Sequence, residues 1–163
     1  MKKFFIVILA GLFVTGCQQP VDKAASVDPQ KEIENVALVL EKYVIANERQ
    51  DLDLVHEIWA PYPDIVVFGT NSDEKLIGWE SIRDALQRQF STFEDTYISV
   101  RDQVIKVNET GNTAWFSEVM NYNYIYKGEA KQFEGLRFTG VLQKHNGEWY
   151  IVQSHVSIPG APD

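Results

Sequence analysis

The chain reads as an α+β domain, with helices gathered in its first half and a long meander of strands in its second. Three observations predict this class. Before residue 94, apolar side chains recur at 3.6-residue spacing behind three helix-start signals. After Phe93 the chain reads as strand, in runs of about 96–107, 113–126, 131–144 and 148–157. The short turns Glu109-Thr110-Gly111-Asn112, Lys127-Gly128-Glu129 and Asn146-Gly147 join these runs and make neighbours antiparallel.

Taken in order, the chain opens with Lys2 and Lys3 and an apolar run of 11 residues from Phe4 to Val14. The run is well under the ~20 residues that span a bilayer, so it matches the n- and h-regions of a secretory signal. Val14-Thr15-Gly16-Cys17 then resembles the lipobox of bacterial lipoproteins, and that resemblance makes Cys17 an acylated mature N-terminus. Residues 1–16 are expected to be the signal peptide and residues 17–28 a flexible polar tether, with Pro20 and Ser26 and no periodicity. Residues 29–163 form the domain. Gln18 is not the aspartate that retains many lipoproteins in the inner membrane. The same resemblance therefore implies the cell envelope, on the periplasmic face of the outer membrane if the cell has two membranes.

Asp28-Pro29 starts the first helix, which sets Ile33, Val36, Ala37, Leu40, Tyr43 and Val44 on one face. Asp51 starts the second, with Leu52, Val55, Ile58 and Trp59, and Pro61 and Pro63 stop it. Asp64 to Thr70 reads as a strand that pairs with Leu76-Ile77 across the Asn71-Ser72-Asp73 turn. The third helix follows Gly78, with Ile82, Ala85, Leu86, Gln89, Phe90 and Phe93.

Charge and cysteine usage narrow the function classes. Fifteen basic residues less Lys2 and Lys3 leave 13 against 23 acidic, so the mature chain carries a formal charge of −10. Nucleic acid is an improbable partner for such a chain, because phosphate binding needs a basic patch. Membrane attachment rests on the acyl chains rather than on the protein surface. With Cys17 acylated, no thiol remains for redox or nucleophilic work. His56, His145 and His155 lack paired-ligand spacing, and no phosphate loop appears, so neither a metal nor a cofactor is expected.

Four segments carry a family resemblance over about residues 30–160. They are the Asp51-Leu52 helix start, Leu76-Ile77-Gly78-Trp79-Glu80-Ser81-Ile82, Asn112-Thr113-Ala114-Trp115 and Asn146-Gly147-Glu148-Trp149-Tyr150-Ile151-Val152. Together they resemble the SnoaL-like branch of the nuclear transport factor 2-like superfamily, which implies a cone-shaped fold of three helices on a curved, mainly antiparallel sheet. The tail from His155 to Pro162 is also similar to the end of the calcium/calmodulin-dependent kinase II association domain. The family spans isomerases, cyclases, dehydratases, adaptors and assembly hubs, so the resemblance leaves chemistry open.

The candidate site comes from the last hairpin. A regular Asn146-Gly147 turn sets Arg137 opposite Val156 and puts Arg137, Thr139, Val141, Val152, Ser154 and Val156 on one face. Phe138, Leu142, Trp149, Ile151, Gln153 and His155 share the other. Both faces are largely apolar, so one is expected to line a cavity beneath the helices and the other to be covered by a second subunit. Aligned on the same turn, the resemblance to steroid isomerases puts the pocket on the Arg137/Thr139 face, with their first-helix tyrosine on Tyr43. Their general-base aspartate falls near Phe68-Gly69, and Thr139 replaces their oxyanion acid, which disfavours steroid isomerisation. The expected lining is Tyr43, Trp59, Phe68, Trp115, Val119, Arg137, Thr139, Ser154 and Val156.

Four residues are candidates for chemistry, each weighed against a plainer role. Arg137 would grip a carboxylate or enolate oxygen through its fork of donors, or else form an ion pair with Glu118 or Glu134. Tyr43 would be a polar handle, or a core tyrosine with a satisfied hydroxyl. Glu118 would be an acid or base of raised pKa, with an edge-exposed carboxylate the favoured alternative. His155 points away from Arg137 in a regular hairpin and reads first as an interface histidine. Tyr122, Tyr124 and Tyr126 alternate along one face and read as a dimer contact rather than a glycan platform. The function expected is a lipid-anchored, dimeric module that binds a small, largely apolar or carboxylate-bearing ligand or mediates assembly. The alternative is an isomerase, cyclase or dehydratase acting on a small carbonyl compound.

Overall fold

The computed structural model describes residues 27–160; Cys17, the signal region and most of the tether lie outside the described residues. Helix α1 runs Pro29–Arg49, and the Asp28 carboxylate caps it by accepting from the backbone N–H groups of Gln30 and Lys31 at 3.1 and 3.3 Å. Helix α2, Leu52–Ile58, is capped the same way, Asp51 accepting from the Leu54 N–H at 2.9 Å. Strand β1, Val66–Phe68, and strand β2, Lys75–Ile77, form the short hairpin that leads into α3, Gly78–Phe90. The four long strands follow as β3 Glu94–Val107, β4 Thr113–Tyr126, β5 Glu129–His145 and β6 Glu148–Ser157.

These strands form one six-stranded sheet in the order β2-β1-β6-β5-β4-β3. All pairs are antiparallel except β1 with β6, which the sequence reading did not foresee. The helices lie against one face, and between them sits a core that includes Val36, Leu40, Val55, Ile58, Ile82, Phe116, Met120, Leu136, Phe138, Leu142 and Ile151. Phe138 is fully buried at its centre, stacked on Tyr43 at 4.7 Å and edge-on to Phe116 at 4.8 Å. Burying a side chain of that size contributes roughly 1.5–3 kcal/mol. A second tie joins the start of α1 to the final hairpin. Glu32 accepts from Lys144 Nζ at 2.6 Å and from the Trp149 indole N–H at 2.8 Å.

Register decides which residues meet the helices, and here the structure corrects the sequence reading. From the turn, His145 pairs with Glu148 and Leu142 with Ile151, as the Asn146-Gly147 geometry predicts. Val141 then pairs with Gln153, leaving Val152 as an extra residue in β6. The bulge falls where β6 exchanges its other neighbour, from the Trp59–Ala60 segment to β1. Opposite it, Gly140 leaves room that no other residue could: a Cβ there would stand 2.5 Å from the Gln153 carbonyl oxygen and 2.7 Å from the Phe116 ring. One extra residue turns the rest of the strand over. Arg137 therefore pairs with Ser157, Phe138 with Val156 and Thr139 with His155.

As a result Phe138, Ser154 and Val156 face the helices, with Phe116, Glu118 and Met120 of β4 in line beside them. Arg137, Thr139, Val119 and Trp115 stand on the opposite face with His155, and Phe68 joins them by pairing with His155. Trp115 and Phe68 are exposed. The tyrosine stripe is also corrected. Tyr122 is buried, and Tyr124 stacks on Phe93 at 3.9 Å, so the stripe packs beneath the end of α3 instead of standing ready for a partner.

Candidate functional site

The site is a cavity of about 350 Å³ between the concave face of the sheet, α1 and α3, open toward the loop between β1 and β2. Helix α1 contributes Tyr43 and Asn47, one turn apart, and Trp59 enters from the end of α2. Ile82, Leu86 and Gln89 of α3 form a second wall at i, i+4 and i+7, the helical spacing legible in the sequence. Met120, Tyr122, Phe133, Leu136, Ser154 and Val156 form the floor. Glu74 and Arg88 stand at the mouth with Thr70 and Asn71.

The polar groups inside are neutral. Asn47, buried, donates to the Tyr43 carbonyl oxygen at 2.8 Å. Gln89 donates to the Tyr122 hydroxyl at 2.8 Å. Burial raises the Tyr122 pKa to about 12, despite that hydrogen bond, and raises that of Tyr43 further, helped by the neighbouring Tyr122 and Glu118. Both phenols thus keep their protons at physiological pH. The buried Trp59 indole N–H has no hydrogen-bond partner among the described residues. Ser154 adds a buried hydroxyl. The cavity therefore offers hydrogen-bond donors within largely aromatic and aliphatic walls, and its deep part holds no charge.

Of the expected lining residues, Tyr43, Trp59, Ser154 and Val156 come together here. Phe68, Trp115, Val119, Arg137 and Thr139 do not, because alternation from the inward Phe116, Phe138 and Leu142, and the pairing of Phe68 with His155, place them on the other face. Ser154 and Val156 reach the cavity by the β6 bulge; in a regular hairpin they would share the outer face with Arg137. Glu118 is buried, at 3% exposure, which overturns the edge-exposed reading. It pairs with Phe138 across the sheet and lines a second groove, between α1 and β3, rather than this cavity. Burial raises its pKa, opposed by a hydrogen bond from Gln103. His155 is exposed, edge-on to Phe68 at 6.1 Å. The four chemical candidates are thus divided between two faces: Tyr43 and Glu118 inside, Arg137 and His155 outside.

Sequence reading missed Asn47, Gln89, Phe93, Tyr122 and Phe133 as lining. The helical phase of Asn47 with Tyr43, and of Gln89 with Ile82, was the available signal. Among the described residues no three His, Cys, Asp or Glu side chains gather to hold a metal ion, and no helix is long and apolar enough to cross a membrane.

Comparison with known proteins agrees with this architecture. A nuclear transport factor 2-like superfamily protein from Salmonella enterica serovar Typhimurium superposes with a TM-score of 0.74 at 18% identity, over 82% of this chain and 95% of that one. A provisional scytalone dehydratase from Novosphingobium aromaticivorans gives 0.72 at 12% identity, covering 80% and 86%. A provisional calcium/calmodulin-dependent protein kinase II association domain from Xanthomonas campestris gives 0.67 at 20% identity, covering 78% and 87%. At these identities the likeness is one of fold. Among curated proteins none matches the chain. The SnoaL-like domain family matches residues 36–161, from the first buried residue of α1 past the end of β6, and the chain belongs to that family.

Proposed function

We propose that this chain is a binding domain, lipid-anchored through Cys17, that takes a small, largely apolar ligand bearing a hydrogen-bond acceptor into the cavity beneath α1 and α3. One observation carries the reading. The cavity, at about 350 Å³, has the size of a small-molecule site, and the polar groups in its interior are neutral donors: Tyr43, Trp59, Gln89 and Ser154. A ligand carbonyl or ether oxygen meeting the Trp59 N–H would satisfy a buried donor that is otherwise left unpaired, which costs about 1–3 kcal/mol. Proton-transfer catalysis needs two titratable groups converging on one point of such a cavity. Here Glu118 lines the other groove and not this cavity, Arg137 and His155 stand on the opposite face, and both phenols are held protonated. The dehydratase description belongs to a neighbour of 12% identity and supports a ligand-sized cone rather than that reaction in this chain.

On this reading the tether holds the cone at the membrane, on the periplasmic face of the outer membrane in a diderm cell, and the outer sheet face pairs two copies. The test is native mass spectrometry of the protein purified from its own cells. The expected spectrum shows the polypeptide with a retained small molecule, and Ala85→Phe, which fills the cavity from α3, releases it. Wild-type and Ala85→Phe protein with identical empty spectra and identical melting with every small apolar carbonyl compound added would rule the reading out.

A further inference from the structure

A second groove lies between α1 and β3, walled by Leu38, Leu40, Val44, Ile98 and Val100, and has a volume of about 390 Å³. It opens to solvent past Leu38 and Val100, which are exposed, and Glu41 stands on its α1 side. Glu118 lines it from β4. Among the described residues this is the one buried carboxylate, and it is half satisfied: Oε2 accepts from Gln103 Nε2 at 2.7 Å, whereas Oε1 has no partner.

The backbone is built around this carboxylate. Between Arg101 and Val104 the pairing of β3 with β4 slips, so that Asp102 and Gln103 both stand opposite Glu118. Asp102 takes a left-handed conformation there, with φ of 55°, an unfavourable one for a residue with a side chain. Without the bulge, the alternation of β3 would aim Gln103 to the outer face; with it, Gln103 meets Glu118. A neutral amide supplies one hydrogen bond and no charge, so the acid remains buried at a net cost.

We infer that this groove is a second ligand site and that it takes a small organic ammonium, its apolar body between Leu38, Val44 and Val100 and its charged nitrogen on Glu118. An ammonium supplies the donor that Oε1 lacks. A charge-assisted hydrogen bond is about twice as strong as the neutral one a hydroxyl would give. No lysine or arginine lines the groove to compete, and Glu41 adds a second negative charge near the entrance.

The probe is n-hexylammonium chloride, with 1-hexanol as its uncharged counterpart, titrated into the full-length chain while methyl NMR signals are followed. Saturable shifts are expected at Leu40, Val44 and Val100, with hexylammonium at least tenfold tighter than hexanol. Glu118→Gln should weaken hexylammonium at least tenfold and leave hexanol unchanged. Val100→Trp, at an exposed position, should close the groove to both. Equal affinities for the two probes would overturn the assignment, as would undiminished binding by either variant. Shifts confined to Leu76, Leu86 and Val156 would place the ligand in the first cavity and overturn it equally, without touching the reading of that cavity.

Discussion

Glu118 shows how one side chain can be visible in a sequence and still be misread. It stands in phase with Phe116 and Met120, and its partner on β5, Phe138, is apolar. The alternation was legible; the sign of the phase was not, because both faces of β4 are rich in apolar residues. Its burial has a consequence for stability. The carboxyl pKa is raised in the fold, so below about 4.5, where folded and unfolded chains are both protonated, the group costs little. As pH rises from 4.5 through the folded value, the unfolded chain ionises first and stability is lost. Glu118→Gln keeps the shape and can still accept from Gln103. The variant is therefore expected to match wild type in urea unfolding at pH 4 and to exceed it by roughly 1 kcal/mol at pH 8. Equal stabilities at both pH values would mean that the carboxylate is solvated in the fold.

At the scale of elements, what the sequence made legible was what local chemistry controls. The caps at Asp28 and Asp51, the 3.6-residue spacing of α1 and α3 and the Asn146-Gly147 turn all form as their residue types require. The bulges were hidden, since the extra residue at Val152 depends on β6 changing neighbours and on space above Gly140, both long-range facts. A single such residue was enough to part Ser154 and Val156 from Arg137 and Thr139, which a regular hairpin keeps on one face. The tie between α1 and the last hairpin was equally out of reach, because Glu32 and Lys144 lie far apart in the chain. It too has a pH signature, opposite in sign. The hydrogen bond from Lys144, aided by the one from Trp149 and opposed by burial, holds the Glu32 carboxyl below its usual range. Its contribution is present above about pH 4.5 and disappears as pH falls through the depressed value. With side-chain exposures of only 14% for Glu32 and 23% for Lys144, the pair is partly shielded from solvent. Glu32→Gln should cost about 1–2 kcal/mol at pH 7 by chemical denaturation, and the deficit should shrink below pH 4.

For the whole molecule, the outer face of the sheet is the feature that a single chain leaves unexplained. Pairing aligns Ile77, Val66, Gln153, Val141, Trp115 and Lys106 across the sheet, and beside them Lys75, Phe68, His155, Thr139, Ser117 and Val104. Ile77, Trp115 and Val104 are about half exposed, at 52%, 49% and 50%. These half-exposed apolar side chains are the contact we propose for a second subunit. The cations set within it are Lys75, Lys106, Arg101 and Arg137, of which Arg101 pairs with Asp102 on its own chain. Two copies meeting through this face would bury apolar surface and bring like charges together. Association should therefore be driven by the hydrophobic term and opposed by electrostatics, so that salt screens the repulsion and tightens the dimer. Sedimentation velocity is expected to show a dimer whose dissociation constant falls as sodium chloride is raised from about 0.05 to 0.5 M, a range over which the screening length drops severalfold. Trp115→Lys removes an apolar contact and adds a further positive charge, and should yield a folded monomer that keeps its cavity. A dimer that salt weakens would instead be held by charge pairs across the interface and would overturn this apolar docking.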